Sequence, residues 1–116
     1  MRTQGDVLVR MALVPRVLEA RGLDVTPGII RRFEEIGDSD FVTILNIIQR
    51  DEVGHVEKGS RWFHYLCDAR GLPRQATFKE LFQQYTQARI KLPLARDARM
   101  QAGFSIEELA YLEGLA

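Results

Sequence analysis

From residue 39 to residue 70 the chain carries 32 residues without a proline, opened by the caps of "DSD" and closed by "RGLP". A helix of that length spans about 48 Å, which suits a helical bundle better than a compact globule. Along it, Phe41, Leu45, Ile48, Glu52, His55, Gly59, Trp62 and Leu66 recur in alternating steps of four and three. That rhythm keeps one face turned toward a neighbouring helix. The face is apolar at both ends, but Glu52, His55 and the small Gly59 stand at its middle. A lone carboxylate buried there costs several kcal/mol or is forced to take up a proton.

Three arrangements compensate such a carboxylate. One is an ion pair of Glu52 with a protonated His55, or with an arginine from another helix. Another is a face that stays wet. The third is a metal ion. Glu and His at i and i+3 point the same way from adjacent turns. Glu-x-x-His is also the pairing used inside four-helix carboxylate bundles.

Helix signals dominate the remainder, and the fold class is all-α. A first helix is expected over about 3–21, with Gly22 as its stop. It carries Leu8, Met11, Ala12, Pro15 and Leu18 on its apolar side, and Pro15 kinks or loosens it. Thr26 and Pro27 read as the N-cap and first residue of a short helix over 26–36, ended by Gly37. Further helices are expected over about 77–87, within 94–101 and over 106–113. The last opens with a capping box of Ser105 and Glu108. No stretch alternates as a strand, and no internal repeat is present.

In the first helix Glu19 shares a side with Ala12 and Pro15, again an acid beside an apolar face. Taken alone it reads as a helix-end carboxylate paired with Arg16 or Arg21. Taken with Glu52 and His55, it makes half of a dinuclear carboxylate site. Asp51 precedes Glu52. Metal-bound histidines donate their other ring N–H to a carboxylate or carbonyl, so Asp51 either orients a histidine or is a solvated acid beside Arg50 or a lysine.

The totals bound the rest. With 116 residues the chain is expected to form one domain over 1–116, large enough for a modest core. Sixteen basic and sixteen acidic residues cancel, so nothing in the total points to nucleic acid or to an anionic membrane surface. A single cysteine, Cys67, excludes an internal disulfide and a cysteine-based zinc site, and fits a cytoplasmic location. The opening "MRTQGDVLVRMALVPRVLEARG" has helical spacing and no h-region, so no signal peptide is expected. No run approaches the roughly 18 apolar residues of a membrane span.

The stretches "LVPRVLEARGLDVTPG", "RDEVGHVEKGSRWFHYLC" and "RGLPRQATFKELFQQY" closely resemble the C-terminal half of a family of uncharacterised ferritin-like bacterial proteins. The resemblance covers nearly the whole chain. It implies a ferritin-like half-bundle of the di-iron carboxylate kind: two long antiparallel helices plus short ones, completed to four helices by dimerisation or a partner. It also implies Glu19, Glu52 and His55 as metal ligands and Asp51 as the acid that orients a ligand. The implied metal is iron, with manganese or another divalent ion as the alternative. One departure matters. Family members carry an upstream half with a second Glu helix and a second Glu-x-x-His, and this chain has no other Glu-x-x-His: Arg61 precedes His64 at i−3. Two copies about a two-fold axis restore the set, which makes a homodimer the expected assembly.

Other residues read more plainly. His64 is expected at the surface or as a cap, Cys67 as a buried structural thiol, and Trp62, Phe63 and Tyr65 as packing groups. The basic "ARIKLPLARDAR" reads as a solvated loop rather than an RNA contact, because aromatic residues are not interleaved with it. No P-loop, G-x-G-x-x-G or nucleophile elbow is present. Two functions are therefore carried forward. One is a dinuclear metal protein acting as an iron-dependent oxidase or oxygenase on an unidentified substrate. The other is a non-catalytic interaction or scaffold domain, or a fragment, with a vestigial site.

Overall fold

The computed structural model describes residues 6–87 and 89–116, and every regular element among them is helical. The first rod is continuous from Val7 to Glu35. It comprises α1 (Val7–Leu13), a six-residue π-helical stretch (Val14–Glu19) and α2 (Ala20–Glu35). A tight turn leads into α3 (Ser39–Ala69), followed by α4 (Arg74–Tyr85), α5 (Arg96–Gln101) and α6 (Ile106–Gly114). No described helix is long and apolar enough to cross a membrane.

The first rod corrects the sequence reading. The expected start at Thr3 lies outside the described residues, but the expected stop at Gly22 does not occur. The helix passes through Gly22 and runs past Pro27. Thr26 is no N-cap; its hydroxyl donates to the carbonyl of Gly22 at 2.8 Å, one turn back. Pro27 has no N–H for the carbonyl of Leu23. The side-chain amide of Gln49, reaching from α3, donates to that carbonyl at 3.0 Å. A tertiary hydrogen bond thus replaces the one proline removes. Pro15 is absorbed differently, by widening the helix: the N–H of Ala20 reaches back five residues to Pro15 O.

Gly37, at φ +79°, ends the rod, and Asp38 caps α3 by accepting from the N–H of Phe41 at 3.1 Å. The two rods then lie antiparallel. Arg70 reaches Asp6 at 3.2 Å, Gly59 abuts Pro15, Gln49 meets Leu23, and the rings of Phe33 and Phe41 stand 4.4 Å apart. The residue numbers of each facing pair add to between 72 and 76. That register places Glu19 opposite His55.

At Gly59 the two rods come close together. A Cβ there would fall 2.2 Å from the Cβ of Pro15, so only glycine lets the rods meet. At the far end Gly71, at φ +68°, turns the chain out of α3, and Leu72 N–H donates to Cys67 O at 2.8 Å. The short helices α4 to α6 fold back over one flank of the hairpin. Phe63, Cys67, Phe78, Phe104, Leu109 and Leu112 are buried there. The capping box forms as the sequence predicts, with Glu108 N–H to Ser105 Oγ at 3.1 Å and Ser105 N–H to Glu108 Oε1 at 3.0 Å.

The heptad-like face of α3 is divided in two. Leu45 and Gly59 are buried, but Ile48 is 53% exposed and Trp62 60% exposed. The buried line runs instead through Leu45, Val56, Ser60, Phe63 and Cys67. One neighbouring rod covers only one flank of a helix. The other flank, with Ile44, Ile48, His55 and Trp62, stands uncovered in the single chain.

Candidate metal centre

The hairpin register brings together three side chains that are distant or only loosely related in sequence. One ligand atom each from Glu19, Glu52 and His55 lies within 4.8 Å of the others. Glu19 comes from the last residue of the π-helical stretch, and Glu52 and His55 come from successive turns of α3. His55 Nδ1 stands 3.5 Å from Glu52 Oε2, a long contact. The cluster is graded in depth: the two carboxylates are half-buried and the imidazole is exposed.

The electrostatics are those of crowded acids. Burial, and next the charge of Glu52, raise the Glu19 carboxyl above its ordinary 4.5, while His55 draws it partly back. The Oε1 atom of Glu52 is sealed from solvent and accepts no hydrogen bond. A buried carboxylate oxygen without a donor is costly. A cation between Glu19, Glu52 and His55 would satisfy it. Two carboxylates and one imidazole form a hard-to-borderline donor set suited to iron, manganese or zinc. On these observations the residues fit a divalent first-row metal.

The ion-pair alternatives for Glu19 are overturned for Arg16. That guanidinium turns the other way, into the core, and is 1% exposed. Nη1 and Nη2 donate to Glu108 at 2.8 and 2.9 Å, Nε donates to Ser60 Oγ at 3.0 Å, and Nη2 also donates to Gly103 O at 3.0 Å. The rings of Phe104, Phe78 and Phe63 surround it, with centroids 4.3, 4.7 and 5.3 Å from Cζ. Arg16 and Glu19 thus leave the same π-helical stretch toward opposite sides. One anchors it and the other projects into the cluster.

The remaining singled-out residues fall outside the cluster. Asp51 is exposed and hydrogen-bonds to no neighbour among the described residues. His64 is half-buried, and burial, then the charge of Arg16, hold its imidazole below the ordinary 6.5. Cys67 is buried, and that burial pushes its thiol up, away from reactivity. The basic stretch is only partly solvated: Arg99 pairs with Asp24 and is buried, and Arg96 pairs with Glu113.

Sequence reasoning gave no role to Gln49, although it stands beside Glu52 and satisfies the carbonyl freed by Pro27. The signal was present as a proline inside a helical pattern, which obliges some donor to serve the residue four back. The clamp of Arg16 and Glu108 was also missed. Its only local trace is a capping-box glutamate with a second carboxylate oxygen to spare.

The cluster opens onto the uncovered flank of the hairpin. A shallow groove there is lined by Leu18, Glu19, Gly22, Ile48, Gln49 and Glu52. Its apolar rim of Leu18 and Ile48 is well exposed in the single chain.

Comparison with known proteins places the chain. It belongs to a family of proteins of unknown function (DUF455), whose model matches residues 1–110. An uncharacterised protein of Haemophilus influenzae is 47% identical to it over 110 residues. That alignment takes in 95% of this chain but 38% of the relative, so the chain spans well under half the length of the protein it matches. No solved structure matches it.

Proposed function

We propose that this member of the family is a ferritin-like half-bundle holding half of a dinuclear metal centre, and that a second copy supplies the other half. The observation that carries the reading is the convergence of Glu19, Glu52 and His55 within 4.8 Å at the foot of an uncovered apolar flank. Two hairpins packed flank to flank about a two-fold axis cover both apolar faces. They also bring together four carboxylates and two histidines, the donor complement of dinuclear carboxylate bundles. Iron is the proposed metal, with manganese as the alternative.

When bound, such a pair of metal ions supplies Lewis acidity and one-electron redox steps, the chemistry of an iron-dependent oxidase or oxygenase. The chain's own residues set the conditions. Glu19 and Glu52 hold negative charge in a partly desolvated place, and a cation there relieves their repulsion. His55 ligates only as the neutral imidazole. Leu18 and Ile48 exclude water from the centre once the flank is covered. Asp51 makes no hydrogen bond to its own His55, so in the dimer it orients the partner's His55.

A second reading follows from the uncovered flank itself. Exposed apolar surface of this kind marks an interaction site, and the chain would then be a scaffold domain with a vestigial cluster. In the Haemophilus relative, the greater part of the polypeptide lies outside the match.

Anaerobic titration with ferrous iron, followed by admission of air and sedimentation of the loaded protein, separates these readings. The metal-centre reading expects one metal ion per chain, a dimer, and a new absorbance in the visible region on oxidation. A folded chain that stays monomeric and binds no iron removes it and leaves the scaffold.

A further inference from the structure

A second cavity lies on the opposite side of the first rod from Glu19 and plays no part in the metal centre. It is a partly enclosed cleft of about 140 Å³ between the π-helical stretch, α2, α4, the loop before α5, and α6. Its inner wall is apolar, built from Val17, Phe82, Leu94 and Leu112. Its floor is a closed ion pair. Asp24 accepts from Arg99 Nε and Nη2 at 2.9 and 2.7 Å, and from the N–H of Ala95 at 2.8 Å. Both Asp24 oxygens are engaged there, and its charge is cancelled by Arg99.

Those cations are Arg21, Arg89 and Lys91. All three are exposed, and none pairs with a carboxylate among the described residues. Three like charges gathered at the mouth of an apolar cleft repel one another, and the low-dielectric wall concentrates their field on the opening. Arg16 lies behind the wall, but Glu108 neutralises it. The cleft therefore presents positive charge outside and hydrocarbon inside, in a chain whose net charge is zero.

We propose that this cleft binds a small organic anion, with its carboxylate or phosphate head held by Arg21, Arg89 and Lys91 and its apolar body against Phe82, Leu94 and Leu112. Size limits the body. A cavity of about 150 Å³ holds a benzene ring, so the group inside is no larger than one six-membered ring or a chain of similar volume. An arginine fork suits the planar head of a carboxylate or the oxygens of a phosphate.

The test uses the full chain, methyl-labelled for NMR, with sodium benzoate as probe at constant ionic strength. Saturable shifts are expected at the methyls of Val17, Leu94 and Leu112. Benzyl alcohol, which has the same ring and no charge, is expected to bind at least about tenfold more weakly. Phenyl phosphate distinguishes the head group, and tighter binding than benzoate assigns the cleft to phosphate esters. Replacing Arg21, Arg89 and Lys91 together by glutamine should abolish the preference for the anion. These are exposed positions, so the variant is expected to fold. The comparison of benzoate with benzyl alcohol in the unaltered protein stands without it. Absence of saturation with both anions, equal binding of the alcohol, or shifts confined to other parts of the chain overturns the proposal. None of these outcomes depends on metal.

Discussion

Arg16 and Glu108, 92 positions apart, meet as a two-bond ion pair sealed from solvent, at 2.8 and 2.9 Å. The pair ties the last helix to the π-helical stretch that carries Glu19. Removing one partner strands a charge in the core, and such losses cost about 3–5 kcal/mol. Glu108→Ala and Arg16→Ala should each fall in that range by urea denaturation. Arg16→Met combined with Glu108→Leu removes both charges and should recover part of the loss, since Gly103 O and the Ser105 N–H lose their partners. A double variant no more stable than either single one would mean that the pair is not what holds this region.

The same pair sets an acid limit. Burial opposes ionisation of Glu108, but the hydrogen bonds and charge of Arg16 prevail and hold its carboxyl below the ordinary 4.5. A group whose folded value is depressed stabilises the fold above its unfolded value, and that stability is lost as pH falls through the folded one. The native chain should therefore weaken steeply with acidification below 4.5. Glu108→Gln has no proton to gain there. It should be less stable at neutral pH yet show a flatter acid limb. Denaturation midpoints measured across that range compare the two slopes, and equal slopes would count against this origin.

Glycine to alanine in a helix normally stabilises by about 1 kcal/mol. Gly54 faces open space, so Gly54→Ala should show that gain. Gly59→Ala should do the reverse, because its Cβ would stand 2.2 Å from that of Pro15. Forcing the rods apart there costs about 1–3 kcal/mol. It also shifts the π-helical stretch, so metal affinity should fall with stability. Thermal melts and a metal titration on both variants check the contrast.

Glu52→Ala or His55→Ala should each bring bound metal close to zero. Glu52→Leu together with His55→Leu should also abolish binding, yet match or exceed the native stability, because crowded acids at a metal site are a burden when empty. Metal analysis of the dialysed proteins decides the point. Unchanged stoichiometry in the double variant would rule these residues out as ligands.

Leu18 and Ile48 rim the groove over the cluster and are exposed in the single chain. Leu18→Lys with Ile48→Lys should cost the isolated chain little, within about 0.5 kcal/mol. It should, however, shift the sedimenting species from dimer to monomer and weaken metal binding in parallel. Dimers that persist in the variant would place the interface elsewhere.

The sequence alone determined the helical class, the length of α3 and most of its caps, because those follow from local rules: periodicity, glycine stops and side chains that serve orphan N–H groups. It also singled out Glu19, Glu52 and His55, since acids and a histidine on an apolar stripe are conspicuous without a structure. Long-range contacts decided what local rules could not. Gly22, Thr26 and Pro27 together spell a helix end, yet the rod continues, because Gln49 from the other helix serves the carbonyl that Pro27 leaves open. Arg16 looked available to Glu19, but a buried Glu108 and three aromatic rings hold it on the opposite side. The stripe on α3 was legible as apolar, but which half a neighbour covers depends on where the hairpin places the first rod. Gly59 and Pro15 fix that placement by the distance at which their backbones can meet, a constraint between residues 44 positions apart that no local pattern expresses.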